Sequence, residues 1–299
     1  MKAPPELPPA GSPDLEPLTP EAGERRYFRP RSGGLRGWLV VRTSTPAPVT
    51  SSAWLEGCGI RVPRLRPAAG GGYLVEDLGD RHLAHDPTPE RYLQVLAARR
   101  RLAARPLPVG HPCRNRALDQ ALFRRELELF AELQLGRRGR LNGPAARRAA
   151  ERACARLARE AAALPWSTQH RDLHSRNVLL PPDGGVALID HQDLRPGPFL
   201  YDLASLRTDA YLDLPPTVAA LIESEALLAG EEAGLTPAET RLRWHRTCLQ
   251  RVLKALGTFA RLLAAGRRDY AAAEARALVH ARRLLAADEA YPEFREWLG

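Results

Sequence analysis

Residues 169–190 decide the reading of the chain. They run Gln169-His170-Arg171-Asp172-Leu173-His174-Ser175-Arg176-Asn177, then Val178-Leu179-Leu180, Pro181-Pro182-Asp183-Gly184-Gly185, and Val186-Ala187-Leu188-Ile189-Asp190. Two apolar runs flank an Asp-Gly pair, the strongest short-range signal for a β-hairpin. With Asp183-Gly184 as a two-residue turn, cross-strand partners have numbers summing to 367, so Asn177 and Asp190 are expected to face each other at the open end.

An amide oxygen and a carboxylate side by side suit a hard cation such as Mg2+, which takes one or two protein oxygens and completes its octahedron with phosphate and water. Asp172 sits just before them. An Asp, an Asn five residues later and an Asp beyond a short hairpin is the order of base, metal ligand and metal ligand in phosphoryl transfer. Taken singly, His170, Asp172, His174, Asn177 and Asp190 each have an ordinary reading as loop, turn or cap residues. Several independent requirements met together favour the catalytic one.

Working outward, residues 25–78 are strand-like: Tyr27 to Arg29, a Gly33-Gly34 turn, Trp38 to Val41 and, after Gly70-Gly71-Gly72, Tyr73-Leu74-Val75. Only a short helix, Ser51 to Cys58, fits between the second and third strands. Beyond Asp80 the texture is helical. Helices are expected after the Thr88-Pro89-Glu90 cap, over Ala117 to Leu135, Pro144 to Leu164, Asp202 to Leu212 and Thr217 to Leu228. The capping box Thr236-Pro237-Ala238-Glu239 opens a long helix to about Ala265, Asp269 to Ala286 follows, and Tyr291 to Trp297 reads as an aromatic packing clasp. No fixed-period repeat suggests a solenoid.

Composition bounds the function. The 299 residues are 44% apolar and 26% charged, an ordinary globular balance. Cys58, Cys113, Cys154 and Cys248 are too dispersed for a zinc site or disulfide framework. No apolar run is long enough for a membrane span and the N-terminus has no secretory layout, so a cytoplasmic protein without a membrane partner is expected. Residues 1–24 carry seven prolines and five acids against Lys2, which predicts a disordered tail and leaves residues 25–299 at a formal +13. Of the 44 basic residues, 42 are arginine, scattered over every helix. That scatter, without a groove-reading or stacking motif, argues against nucleic acid and for a small anionic or neutral ligand.

The segment His170 to Asn177 with Ile189-Asp190 resembles the aminoglycoside phosphotransferase and choline kinase-like superfamily. Arg25-Arg26-Tyr27-Phe28-Arg29, Leu74 to Asp80, Arg124 to Phe130, Ile189 to Asp193, Gly197-Pro198 and Tyr201-Asp202-Leu203 narrow the resemblance to bacterial anomeric kinases of amino sugars. It implies an α+β, two-lobed protein-kinase-like fold: a small antiparallel sheet lobe with the hinge over 25–80 and a larger helical lobe over 81–299, acting as a monomer on ATP, Mg2+ and a small sugar. Asp172 would take or orient the acceptor's proton, with Asn177 and Asp190 on Mg2+. Glu76, Asp77 and Leu78 would meet adenine through backbone groups, and the loop from Gly23 through Arg25 and Arg26 would cover the phosphates. His170 and Asp202 would brace the catalytic loop, although Asp202 also reads as a helix N-cap. His191, Gln192 and Asp193 would line the acceptor side, with His174 and Arg195 as lesser candidates.

Two departures stand out. The strand lysine that pairs with phosphate in kinases is absent; Arg42 is the nearest substitute, or else an exposed strand-end arginine. Glu126 borders the acceptor pocket in the resembling kinases, yet pairing of Glu126 and Glu128 with Arg124 or Arg125 on the helix surface is the simpler expectation. An aminoglycoside or amino-alcohol kinase and a weakly catalytic nucleotide-binding pseudokinase are the alternatives.

Overall fold

Gly33 and Gly37 hold φ of +85° and +81°, which lets the chain reverse between β2 (Arg26–Pro30) and β3 (Trp38–Arg42). The computed structural model describes residues 6–9, 11–18, 24–69 and 71–298. Five antiparallel strands form one sheet in the order β1-β2-β3-β5-β4, with β1 at Leu15–Pro17, β4 at Leu65–Pro67 and β5 at Gly72–Glu76. Phe28 lies opposite Val40 and Val40 opposite Leu74. Since side chains alternate along a strand, these three point to one face and pack with Leu15 and Trp38. Tyr27, Leu39, Tyr73 and Val75 point to the other face, where they roof a cleft. Gly72 is required where β5 meets β3, because a Cβ there would collide with the Val41 carbonyl.

The expectation of a disordered 1–24 is corrected for part of that segment. Leu15 is buried, the Arg31 amide donates to the Asp14 carbonyl at 2.8 Å, and the Leu18 amide donates to the Tyr27 carbonyl at 2.9 Å. An edge strand needs pairing on one side only and tolerates Pro17, so one apolar anchor suffices. β4, ending in Pro67, is the other edge and was not evident from sequence for the same reason. Residues 1–5, 10 and 19–23 lie outside the described residues.

The short helix between β3 and β4 is α1 (Val49–Gly57). The helical part comprises α2 (Pro89–Ala103), α3 (Gln120–Phe130), α4 (Gly143–Ala162), α5 (Tyr201–Arg207), α6 (Pro216–Glu232), α7 (Pro237–Ala264), α8 (Ala271–Ala286) and α9 (Pro292–Leu298). The capping box at Thr236 forms with both reciprocal bonds. Helix α3 is shorter than expected: Asp119 caps it by accepting the Leu122 amide at 2.8 Å, and its far end widens into a π-turn over Ala131–Leu135. There its backbone lies against α7 so closely that a Cβ on Gly257 would stand 2.8 Å from the Phe130 nitrogen.

Helix α7 is the axis of this part. Leu249, Val252, Leu253, Leu256 and Phe259 enter a core shared with α3, α4, α8 and α9. Its other face carries Arg251 and Lys254 toward the 169–190 segment. Tyr291, Phe294 and Trp297 close the core as expected; Phe294 meets Phe130 edge-on at 6.0 Å and stacks on Tyr291 at 5.6 Å. Each such ring stabilises by roughly 1.5–3 kcal/mol through burial.

The hairpin forms one residue out of the expected register. β7 (Val178–Leu179) meets β8 (Ala187–Leu188) with Val178 opposite Leu188 and Leu179 opposite Ala187. Pro181 and Pro182 have no amide for a ladder, the Leu180 amide is taken by the Arg81 carbonyl at 2.7 Å, and Gly184 and Gly185 both adopt positive φ. The connection therefore spans residues 180–186. Asn177 faces Ile189, whose amide donates to its carbonyl at 3.0 Å, and Asp190 lies one step further.

Candidate active site

The segment before the hairpin is clamped from below. Strand β6 (Trp166–Gln169) pairs with β9 (Arg195–Pro198), which delivers the chain to α5. There Asp202 accepts the amides of His170 at 2.6 Å and Arg171 at 2.9 Å, while its own amide donates to Gln169 Oε1 at 3.0 Å. Asp202 is the second residue of α5, so its carboxylate serves the loop and the N-cap reading is set aside. Burial pushes its carboxyl up, against the pull of His170, Arg99 and the two amides. Asp209 repeats the device, accepting the Ser175 amide at 2.6 Å and the Tyr211 amide at 2.8 Å. The His170 ring donates through Nε2 to the Ile189 carbonyl at 3.0 Å, tying the loop to β8.

Held this way, Asp172, Asn177 and Asp190 line a single cavity of about 420 Å³ together with His174. It adjoins the cleft beneath the sheet, about 890 Å³, and the two share Arg25, Tyr27, Arg176, Asp190, Gln192, Tyr211 and Tyr270. Asn177 donates through Nδ2 to the Asp172 carbonyl at 2.8 Å, so Oδ1 is the atom it could offer a cation. Asp190 has φ +58° and accepts from Gln192 Nε2 at 2.6 Å on Oδ1, with Arg25 at 3.8 Å. One neutral and one charged oxygen donor fit a hard cation. Among the described residues no cluster of three His, Cys, Asp or Glu could hold a metal unaided, so a cation here would draw the rest of its shell from phosphate and water.

Asp172 stands between cations from α7. Lys254 Nζ is 2.8 Å and Arg251 3.4 Å from its Oδ1. Withdrawal from water alone would raise its pKa, but Lys254, Arg251 and Arg171 hold the carboxyl well below the usual range. His174 packs on Tyr211 with ring centroids 4.9 Å apart, and burial pushes its pKa down to about 3, so it is neutral. His191 is likewise pushed down to about 3 by burial; its ring turns to Ser52 in α1, 2.7 Å away.

Other expected residues are placed differently. Arg42 reaches back to the carbonyls of Leu7 and Pro8 and does not line the cleft, so its proposed phosphate contact is not supported. The reason is alternation: Arg42 shares the face of Trp38 and Val40, which is turned away from the cleft that Leu39 roofs, and it lies beside the N-terminal segment. Arg25 enters the cleft, whereas its neighbour Arg26 alternates to an exposed position. Glu24 reaches the 420 Å³ cavity, and Gly23 lies outside the described residues. Glu76 is bound by Arg64 at 2.8 Å, and Asp77 by Arg29 at 2.6 Å; Glu76 and Leu78 line the cleft. The amides of Glu76 and Asp77 donate to the carbonyls of Arg64 and Gly37.

On the α3 side of the loop, Glu126 is not surface-paired. It is the inward member of its helix, accepting from Gln250 at 3.1 Å with Arg171 at 3.7 Å, while Glu128 takes Arg124 at 2.7 Å. Asp193 is engaged by Arg116 at 2.6 Å, by Arg195 at 3.1 Å and by Arg171. Arg171 reaches both acids from a left-handed backbone, φ +82°. Such a conformation in a non-glycine residue persists only where surroundings over-determine it, and here the Asp202 clamp does so. Sequence reading missed Arg251, Lys254, Asp209 and Arg176. One signal was available for Lys254: it is one of two lysines in a chain that otherwise uses arginine.

Residues 41–245 match the family described as phosphotransferase enzyme family, abbreviated APH. The chain is 34% identical over 281 residues to a Pseudomonas aeruginosa protein named N-acetylmuramate/N-acetylglucosamine kinase, covering 86% of this chain and 78% of that one. A Pseudomonas putida protein of the same name is 28% identical over 271 residues, covering 85% and 77%. Among solved structures, a choline kinase from Streptococcus pneumoniae superposes with a TM-score of 0.60 at 12% identity, covering 92% of this chain and 93% of that one, a likeness of fold.

Proposed function

The chain belongs to the phosphotransferase enzyme family, and on that premise we propose that it transfers the γ-phosphoryl group of ATP to the anomeric hydroxyl of N-acetylmuramate or N-acetylglucosamine. The observation that carries the reading is the convergence of Asp172, Asn177 and Asp190 on one cavity that opens into the cleft under the sheet. The name shared by the two Pseudomonas relatives supports the acceptor.

Asn177 Oδ1 and Asp190 would hold Mg2+, which supplies charge neutralisation on the phosphates when bound. Arg25 and Arg176, on the shared wall of the two cavities, are placed to meet phosphate oxygens. The apolar roof of Tyr27, Leu39 and Val75 suits a nucleobase, with the Leu78 amide as donor to its edge. Asp172 would orient the acceptor hydroxyl through Oδ2, since Oδ1 is committed to Lys254. A carboxylate held this acidic is a weak base. That is compatible with a loose transition state, in which positioning and electrostatics supply most of the rate.

A 31P NMR screen of N-acetylmuramate, N-acetylglucosamine, kanamycin and choline with ATP and Mg2+ tests this. An anomeric phosphate, identified by its coupling to the single anomeric proton, is expected with the first two. Phosphorylation of kanamycin or choline alone would overturn the assignment of the acceptor.

A further inference from the structure

A small cavity of about 90 Å³ opens between the loop carrying Asp172 and helix α7. Its polar lining sets Arg251 and Lys254 against the carboxylates of Asp172 and Asp209, and its apolar wall is Ala210, Ala255 and Phe259. A water molecule takes about 30 Å³ in the liquid, so this volume admits a carboxylate on a short carbon stem. It is too small for a second sugar ring.

The charges around it are unevenly spent. Asp172 bonds Lys254 at 2.8 Å and lies 3.4 Å from Arg251, so one carboxylate faces two cations. Asp209 also borders the cavity, but its oxygens accept the Ser175 and Tyr211 amides. The Ser205 hydroxyl accepts from Arg251 Nε at 3.2 Å, and the Thr258 hydroxyl donates to the Lys254 carbonyl at 3.2 Å. The Lys254 ammonium has three donors, and Asp172 takes one. Burial and Arg251 both press the Lys254 pKa down, a cost that an added anion would offset.

Lysine at this place is itself informative. In a chain with 42 arginines, this position carries a compact ammonium with three rotatable donors in place of a planar guanidinium. We propose that Arg251 and Lys254 form an acceptor subsite for a carboxylate borne by a short apolar stem, and that this subsite makes the enzyme prefer an acidic amino sugar over its neutral analogue. The inference rests on the amino-sugar reading above and assigns its preferred member: N-acetylmuramate carries such a lactyl carboxylate, and N-acetylglucosamine carries a hydroxyl in its place.

Calorimetric titration of both sugars into the wild-type protein reads the subsite whether or not either is phosphorylated; the NMR screen reads the activity separately. Tighter binding of N-acetylmuramate by about tenfold is expected, in line with a charge-assisted hydrogen bond. Lys254→Met should erase that preference. Thr258→Asp, a small change that puts a like charge at the cavity, should reverse it and serves if Lys254→Met fails to fold. Equal wild-type affinities, or a loss of the same factor for both sugars in the folded variants, would overturn the subsite while leaving the kinase assignment intact. Phosphorylation of neither sugar alongside a retained binding preference would overturn the assignment and leave the subsite.

Discussion

The Ser52 hydroxyl and His191 Nε2 lie 2.7 Å apart in the buried seam between α1 and the turn that carries Asp190. The helix of the small sheet lobe is thereby fastened to the residue next to Asp190. Ser52→Ala removes a bond worth about 1 kcal/mol, so the apparent KM for ATP should rise about fivefold with kcat changed less. Ser52→Thr keeps the hydroxyl and should recover most of the affinity. Unaltered KM values in Ser52→Ala would detach the seam from nucleotide binding.

Asp172→Asn keeps the shape and loses the proton acceptor. Turnover should fall by roughly a hundredfold or more. Circular dichroism and single-turnover kinetics together check this; a folded variant with wild-type turnover would remove Asp172 from the chemistry.

Deleting residues 1–18 strips β1 from the sheet. Because Glu16, Pro17 and Leu18 line the 890 Å³ cleft as well as pairing with β2, the truncated protein should melt several degrees lower and bind ATP more weakly. Identical melting and identical ATP affinity would return this segment to the role of a tail.

Gly257→Ala forces a methyl against the Phe130 backbone, 2.8 Å from its nitrogen. Neither helix can yield cheaply at a packed crossing, so a destabilisation of about 1–3 kcal/mol is expected from urea titration. A variant as stable as the wild type would mean that α3 and α7 slide freely.

His111 is buried and His245 and His280 are partly buried, and burial depresses the pKa of each below the usual histidine value. The unfolded chain takes up protons near pH 6.5 that the folded chain refuses. Their contribution is therefore full above pH 6.5 and is lost as pH falls toward the folded values, by at most about 1.4 kcal/mol per pH unit for each. Urea midpoints at pH 7.5, 6.5 and 5.5 should fall in that order, and a constant or rising series contradicts the burial argument.

How much could be read in advance differs between regions for physical reasons. That Asp172, Asn177 and Asp190 come together on one cavity was legible because they lie within 20 residues on one loop and hairpin, where spacing constrains geometry. The hairpin register was not, since the two prolines and the Arg81 carbonyl outcompete a two-residue turn. Arg42 was misplaced because alternation turns it, with Trp38 and Val40, to the face away from the cleft. Lys254 lies 82 positions from its partner Asp172, and only the packing of α7 brings them together. The capping box at Thr236 was readable because it closes within four residues.

Both borders of the sheet, β1 and β4, are three residues long and end in proline, Pro17 and Pro67. A border so short, with no amide to offer at its last position, gives a stray strand from another molecule almost nothing to zip onto. The sheet that roofs the cleft is thus guarded against edge-to-edge aggregation at the two places where a β-sheet is most exposed to it.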